Sequence, residues 1–308
     1  MIRRLAPIFS LLVLSASAAL FSPYFLTVEN LFAIGLQMAV VAIMALGQVT
    51  VIIAGGIDLS AGSVLALSGV VACTQLRAGH DLLVAALGAL TTGLACGFLN
   101  GFLVTRGKLP PFIATLGMMG VARGLALIIT DGVPIFGLPA SLAGLGGGRL
   151  FQLIPVPVAI TAMAAFITYL LLAHTRLGRH AYAIGGNKEA ARLAGVPVAR
   201  ATQTLYTLCG ATAGLAGLIL ASRLNSGQPT AGTGYELDVI AACVIGGASL
   251  SGGEGTVGGA LIGALIMGVL RNSCNLLDIS AFWQQVVIGA IIVVAVFFDQ
   301  ARRARGIV

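Results

Sequence analysis

The residues best suited to chemistry in this chain lie in one short stretch, IIAGGIDLSAGS, at positions 52–63. It places the carboxylate of Asp58 beside Ser60 and three glycines, while the chain on either side is mostly apolar. An ionisable side chain at membrane depth is costly and normally faces the protein interior, a partner or water. Three roles are open to Asp58: it caps the helix that begins near Ser60, contributes to a gate, or hydrogen bonds to substrate hydroxyl groups.

A second stretch repeats this pattern. Residues 55–62 read GGIDLSAG and residues 246–253 read GGASLSGG, so both fit G-G-x-x-L-S-x-G. The match predicts an internal repeat with a broken helix at each copy. Ser249 replaces Asp58 and can cap a helix without supplying its charge, so we interpret Asp58 first as a cap. The residues predicted to form the breaks, and a gate or path, are Gly55, Gly56, Asp58, Ser60, Gly246, Gly247, Ser249 and Ser251.

The composition indicates an all-α polytopic membrane protein. Of the 308 residues, 58% are hydrophobic and 9% are charged, with a mean hydropathy of +1.03, whereas soluble domains are about 25% charged. Apolar runs long enough to cross a membrane predict about ten transmembrane helices, with eight to eleven allowed by the boundaries, in one domain of residues 1–308. The spans are 5–22, 30–53, 60–77, 82–105, 111–130, 155–173, 201–222, 236–250, 255–272 and 282–299.

The basic residues cluster between these spans, which argues against a nucleic-acid partner and indicates topology. Twelve fall at ends assigned to the cytoplasm, four at outer ends, and Arg123 within a span. Both termini are therefore predicted to be cytoplasmic, with an uncleaved first helix. The twelve are Arg3, Arg4, Arg106, Lys108, Arg176, Arg179, Lys188, Arg192, Arg200, Arg302, Arg303 and Arg305; the outer four are Arg77, Arg149, Arg223 and Arg271.

The 42 glycines often recur every four residues. This spacing lets helix backbones approach closely, so we interpret most of these glycines as packing residues without a direct role in transport. The series are Gly93, Gly97 and Gly101; Gly120 and Gly124; Gly210 and Gly214; Gly255, Gly259 and Gly263.

No motif in the sequence supports an enzyme. The three histidines lie in predicted loops, and no G-x-S-x-G or H-E-x-x-H pattern appears. The phosphate-binding pattern G-x-x-x-x-G-K-[ST] is also missing, so the chain is not expected to bind ATP itself. We therefore expect no catalytic residue, no metal site and no cofactor in this chain.

The longest predicted cytoplasmic segment, residues 174–200, contains a short helix. Asn187 can cap a run of good helix formers at 188–194, and Gly195 and Pro197 can stop it. A short, charged, well-delimited helix between two spans favours a docking element over a solvated connector.

Several stretches resemble a known family. NKEAARLAGVP resembles the coupling loop of ATP-binding-cassette (ABC) importer permeases, and ALGQVTVIIAGGIDLSAGS, FIATLGMMGVARG, LGRHAYAIGGNKEAARLAGV, QPTAGTGYELDVIAACVIGGASLSGGEGTVGGALIGAL and NLL are similar to permeases of ribose and related monosaccharides. The likeness covers nearly the whole chain. It implies a multi-pass protein of the bacterial cytoplasmic (inner) membrane that translocates a monosaccharide, most closely a ribose-like pentose.

The resemblance also implies partners. These are a cytoplasmic ATPase subunit that hydrolyses ATP, an extracytoplasmic sugar-binding protein, and a second permease subunit, expected to be another copy of this chain, all in membrane lipid. By the same resemblance, Glu189, Ala190, Ala191 and Gly195 form the helix that seats in the ATPase. The expected coupling residues are Asn187, Lys188, Glu189, Ala190, Ala191, Arg192 and Gly195.

Two further groups of polar residues have expected roles. Asn100, Thr115 and Gln284 are neutral groups that could line a substrate path, and Asn225, Gln228 and Tyr235 lie in a polar outer stretch suited to contact with the binding protein. Two other classes remain open from the residues alone. A proton- or sodium-coupled carrier would use Asp58 and the glycine breaks as an ion site, and a non-transporting scaffold would use the glycine packing.

Overall fold

The chain is built almost entirely from helices, because its long apolar runs must satisfy their own backbone hydrogen bonds in a membrane. A computed structural model describes residues 2–304, so Arg305 lies outside the described residues. Every predicted span coincides with a helix. The helices are α1 (Ile2–Phe21), α2 (Val28–Ile53), α3 (Ala61–Arg77), α4 (Leu82–Thr105), α5 (Pro111–Thr130), α6 (Ala140–Gly147), α7 (Val156–His174), α8 (Arg176–Gly186), α9 (Lys188–Leu193), α10 (Val198–Leu224), α11 (Tyr235–Ile245), α12 (Val257–Leu276) and α13 (Ala281–Ala304). Strands β1 (Arg149–Leu150) and β2 (Ile154–Pro155) form one antiparallel hairpin.

The ten helices at the predicted spans differ in length. Within residues 2–304, α2, α4, α5, α7, α10 and α12 are long and apolar enough to cross a membrane, and shorter apolar stretches lie in α1, α3 and α13. Helix α11 has 11 residues, or about 16 Å at 1.5 Å per residue, roughly half of the ~30 Å hydrocarbon layer. The predicted span 236–250 is therefore a half-helix followed by a break.

Helix α10 packs against α4, α2 and α3 through residues too small to keep the backbones apart. Gly210 Cα would lie 3.0 Å from a Cβ added at Gly97, and a Cβ at Gly210 would collide with Gly93 O. This confirms the packing interpretation for these glycines. Gly120 and Gly124 on α5 differ, because a Cβ added at either would meet no atom within 4 Å, so the predicted packing of these two does not occur within the described chain.

Both predicted breaks are present. The first break (residues 54–60) separates α2 from α3, and the second break (residues 246–256) separates α11 from α12. Each preceding helix ends on a left-handed glycine, Gly55 (φ 78°) or Gly247 (φ 90°). The N–H of the residue after each glycine bonds five residues back, Gly56 to Val51 O and Ala248 to Cys243 O, both at 2.9 Å. In the structure Gly55 is equivalent to Gly247, whereas the sequence alignment pairs Gly55 with Gly246. The two helix ends are therefore offset by one residue from that alignment.

The two breaks touch each other and the connection that follows α7. Gly253 N donates to Ile53 O at 2.9 Å, and a Cβ added at Gly252 would lie 3.0 Å from Gly55 Cα. A Cβ at Gly185, near the end of α8, would collide with Ile53 O and Gly253 N. The fold thus joins both breaks to the segment that carries α9.

Candidate translocation and coupling sites

Asp58 lies in a buried polar turn of the first break. Asp58 is only 2% exposed. Its Oδ1 accepts hydrogen bonds from Ser60 N at 2.8 Å and from Ser60 Oγ at 2.6 Å. An aspartate side chain that accepts a hydrogen bond from the backbone amide two residues ahead forms an Asx turn. This turn takes the place of helical hydrogen bonds at the break. Asn100 Nδ2 on α4 is 3.5 Å from both carboxylate oxygens and 2.8 Å from Ser60 Oγ.

This geometry corrects the capping interpretation. Ser60, not Asp58, is the N-cap residue of α3, and its side chain makes no capping bond. Asp58 accepts a hydrogen bond from the N–H of Ser60, the first of the free amides at the start of α3. It accepts none from the amides of the first turn. Helix α12 is capped by Thr256, whose Oγ1 accepts from Gly259 N at 3.0 Å.

Ser249 does not cap α12 because the second break is longer than the first. Its Oγ accepts from Ser251 N at 3.4 Å, the counterpart of the Asp58 turn in the sequence alignment. Left-handed conformations at Gly252 and Gly253 then carry the chain on to α12, which begins at Val257. The repeat therefore preserves the turn and not the helix start.

The backbone of the first break is also held by side chains from three helices. Ile57 O accepts from Thr115 Oγ1 on α5 and from Tyr206 Oη on α10, both at 3.4 Å. In the amide orientation that satisfies both groups, Gln48 on α2 donates to Asp58 O at 3.2 Å and accepts from Asp58 N at 3.1 Å. Sequence reasoning missed Gln48 and Tyr206, although Gln48 is an isolated polar residue within a span, which is itself a signal.

The structure brings together two of the three predicted path residues. Asn100 and Thr115 are fully buried and meet at the first break. Gln284 lies elsewhere, on α13, where its Nε2 donates to Asn275 Oδ1 at 2.9 Å and Ile279 O at 3.0 Å. Gln284 is thus not part of the first break, and its amide closes the turn between α12 and α13.

The α10–α11 connection (residues 225–234) is held to the rest of the chain along its length. Asn225 ends α10 in a left-handed conformation and is exposed, and Gln228 is partly buried and donates to Ser226 Oγ at 3.3 Å. Gly227 pairs with Ile135 through two backbone bonds of 2.9 Å. Gly232 then packs against Gly62, in the first turn of α3.

Tyr235 consequently lies deeper than expected. Gly227 contacts Cys73 on α3, eleven residues from Gly62, so the connection descends roughly 16 Å along α3 before Tyr235 begins α11. Tyr235 is partly exposed, and it lies at the far end of the connection from Asn225 and Gln228.

The Tyr235 side chain lines a cavity of about 40 Å³ between α2, α11 and α12. Asp238 and Arg271, which sequence reasoning did not single out together, form an ion pair there at 2.6 Å between Oδ2 and Nη2. The Asp238 side chain is only 3% exposed, and a buried charge in a protein is normally paired.

A short helix is present where the sequence predicts the docking element, as α9 (Lys188–Leu193). Asn187 Oδ1 accepts from Glu189 N at 3.1 Å and Ala190 N at 2.9 Å, and Gly195 adopts φ 80° just beyond the helix. Ala191 is buried, with Ile184 and Ala201 in the same apolar cluster. The preceding helix α8 was not predicted, because its residues do not form a long apolar run.

The exposed side of α9 carries an ion pair and an apolar tip. The hydrogen bond and charge of Arg192 lower the pKa of the Glu189 carboxyl, with Arg192 Nε 3.1 Å from Oε1. Leu193 is 77% exposed. The exposed groups at this end of α9 are thus one charge pair and one leucine.

Comparison with known proteins identifies the class. The model of the family described as the permease component of branched-chain amino acid transport systems matches residues 30–296. The chain belongs to this permease family. The Ribose import permease protein RbsC of Escherichia coli (strain K12) is 47% identical over 298 residues, covering 96% of this chain and 92% of the relative.

Two further relatives extend this likeness. RbsC of Bacillus subtilis (strain 168) is 45% identical over 303 residues, covering 98% of this chain and 94% of the relative. The L-arabinose ABC transporter permease protein AraH of Azospirillum brasilense is 40% identical over 303 residues, covering 98% and 89%. No solved structure matches the chain. The chain is thus a multi-pass membrane permease of an ABC importer, and nothing among these relatives supports a proton- or sodium-coupled carrier.

Proposed function

We propose that the chain moves a ribose-like pentose through the bacterial inner membrane, driven by a separate ATPase subunit and supplied by an extracytoplasmic binding protein. The observation that carries the proposal is near full-length similarity to ribose import permeases at 45–47% identity. The polar groups at the first break fit this cargo, because Asn100, Thr115 and Ser60 offer neutral donors and acceptors to sugar hydroxyls.

Residues 174–200 are proposed as the cytoplasmic coupling loop of a single permease domain spanning residues 1–308. Lys188, Glu189, Ala190 and Arg192 are exposed on α9, where an ATPase groove could receive them. Asn187 and Gly195 fix the two ends of the helix, and Ala191 anchors it to the membrane domain. Contact of Gly185 with the end of α2 and with the second break supports transmission of ATPase movement to the path.

The proposed assembly contains two copies of the chain, with both termini in the cytoplasm. Asn225 and Gln228 remain the proposed contacts for the binding protein, since they precede the descent of the α10–α11 connection. The proposed path passes the first break, where Asn100 and Thr115 meet Asp58.

Uptake in vesicles tests the function directly. The permease is reconstituted with the ATPase and the binding protein of its own transport system, and radiolabelled ribose, arabinose, xylose and galactose are compared with and without internal ATP. ATP-dependent uptake of ribose above the other sugars is expected. Uptake driven by a proton or sodium gradient without ATP would contradict the proposal.

A further inference from the structure

The second break is attached to α8 by a side-chain hydrogen bond. Tyr182 Oη on α8 donates to Gly255 O in the second break at 2.8 Å. Gly253 N in the same break donates to Ile53 O at 2.9 Å, and a Cβ added at Gly255 would lie 2.8 Å from Ile53 Cγ1. Tyr182 therefore holds the second break at the point where its backbone packs on the end of α2.

Helix α8 is in turn fixed to α9. Ile184 on α8 shares a buried apolar cluster with Ala191 on α9 and Ala201 on α10. Asn187 is both the residue that ends α8 and the residue that caps α9. Because one residue separates the two helices and a common cluster holds them, we expect α8 and α9 to move together. A displacement of α9 then reaches Tyr182.

Beyond the second break, the α11–α12 hairpin (residues 235–276) has backbones that touch. A Cβ added at Gly246 would collide with Gly259 O, and a Cβ added at Gly263 would collide with Ala242 O. Small residues let two helices approach this closely, and an interior packed to this density resists sliding of one helix past the other. The hairpin is therefore held rigid near the break.

An ion pair holds the other end of the hairpin. Asp238 lies eight residues before Gly246, about 12 Å along α11, and its Oδ2 is 2.6 Å from Arg271 Nη2 on α12. Because Asp238 is buried, separating the pair would leave a charge without its partner inside the protein, which is strongly unfavourable. The hairpin is thus closed by backbone contact at one end and by charge attraction at the other.

We propose that the α11–α12 hairpin moves as one rigid arm, and that Tyr182 is the positioning residue that passes movement of α8 and α9 to it. The route runs from α9 through the Tyr182–Gly255 hydrogen bond to the second break, and the arm carries the movement on to Tyr235, where α11 begins. The driving movement rests on the proposed coupling role of α9, whereas the rigidity of the arm does not.

Transport stoichiometry tests the role of Tyr182. Tyr182→Phe keeps the ring and removes the hydroxyl, so the variant should bind the ATPase and melt close to the parent. Hydrolysis then continues while less movement reaches the arm. In vesicles with the complete importer, the sugar taken up per ATP hydrolysed should therefore fall roughly threefold or more, the factor expected for loss of one neutral hydrogen bond. Tyr169→Phe, the same change at an exposed tyrosine of α7, should keep the parent's ratio.

This ratio distinguishes a positioning role from a purely structural one. If the hydroxyl only stabilised the fold, its removal would lower the melting temperature, and uptake and hydrolysis would fall in proportion. That result, or an unchanged ratio in a protein that melts like the parent, would overturn the assignment of Tyr182. If the parent importer itself takes up no sugar, the proposed function fails, and the distances below still decide the inference.

Spin-label distances test the arm without any sugar. Cysteines at Leu237 on α11 and Leu277 next to α12 report on the hairpin itself, and cysteines at Leu224 on α10 and Leu277 report its position against the rest of the permease. All three leucines are exposed, and the five native cysteines are buried. In the complete importer in nanodiscs, ATP with vanadate should change the second distance and leave the first unchanged.

The same measurement in Tyr182→Phe completes the test. The change in the distance between positions 224 and 277 should shrink to half or less of its value with Tyr182 present. A first distance that changes with nucleotide, or a second distance that does not, would overturn the rigid arm. A full change in Tyr182→Phe would overturn the role of the Tyr182 hydroxyl.

Discussion

Replacing Asp58 tests whether the first break needs an acceptor or a charge. In Asp58→Ala, the buried Ser60 N–H loses its 2.8 Å partner, and an unsatisfied buried donor costs roughly 1–3 kcal/mol. In Asp58→Asn, the amide oxygen keeps that bond. Its new N–H would face Asn100 Nδ2, so the Asn100 amide must turn over to present Oδ1, a buried atom without a partner in the described structure. Because Asn also removes the cost of burying a charge, we expect its stability to equal or exceed the parent's.

The assay pairs thermal unfolding of the purified permease with ATP-dependent uptake in vesicles. Asp58→Ala should melt earlier than the parent, and Asp58→Asn should not. Asp81 is a matched control, because it is the N-cap of α4, is exposed and accepts from Val84 N at 2.8 Å. Asp81→Ala should lose about 0.5–2 kcal/mol, as exposed caps do, without a specific loss of uptake.

Two results would refute this reasoning. If Asp58→Asn loses as much stability as Asp58→Ala, the negative charge itself stabilises the break, and a turn acceptor is not a sufficient explanation. If Asp58→Asn melts like the parent but takes up no sugar, the carboxylate belongs to the transport mechanism.

The remaining predictions concern coupling and packing. Glu189→Lys reverses a charge on the exposed side of α9, so it should lower uptake and substrate-stimulated ATP hydrolysis together while the melting temperature holds; normal uptake would refute the coupling assignment. Gly185→Val should reduce both activities more strongly, because its side chain would push the two breaks from α8, and normal transport by this variant would exclude that contact from coupling. Gly210→Ala should destabilise the permease by about 1–3 kcal/mol through overpacking, whereas Gly117→Ala, with open space beyond it, should melt no earlier than the parent.

The sequence determined the elements that depend on neighbouring residues. Each predicted span lies at a helix, since an apolar run of sufficient length must form a helix in lipid. The start and end of α9 were also predictable, because Asn187 bonds amides two and three residues away and Gly195 supplies a left-handed conformation. The presence of both breaks followed similarly from their local glycine patterns.

The tertiary structure decided which of these elements meet. Gly210 and Gly120 occupy similar four-residue patterns, yet Gly210 packs against α4 and Gly120 faces open space. Asn100 and Gln284 are both amides at membrane depth, but only Asn100 reaches Asp58. The spacing of residues along a helix specifies which of them share a face, but it does not specify which other helix packs against that face.

The roles of Asp58 and Tyr235 show the same limit. The repeat of the Asp58 pattern at Ser249 was visible in the sequence, but the different starts of α3 and α12 depend on the path of the longer second break. The polar composition before Tyr235 predicted an outer loop, whereas bonds from Ile135 and Arg123 hold that segment along α3. Local composition determines helices and turns, and contacts between residues about one hundred positions apart determine where those turns lie.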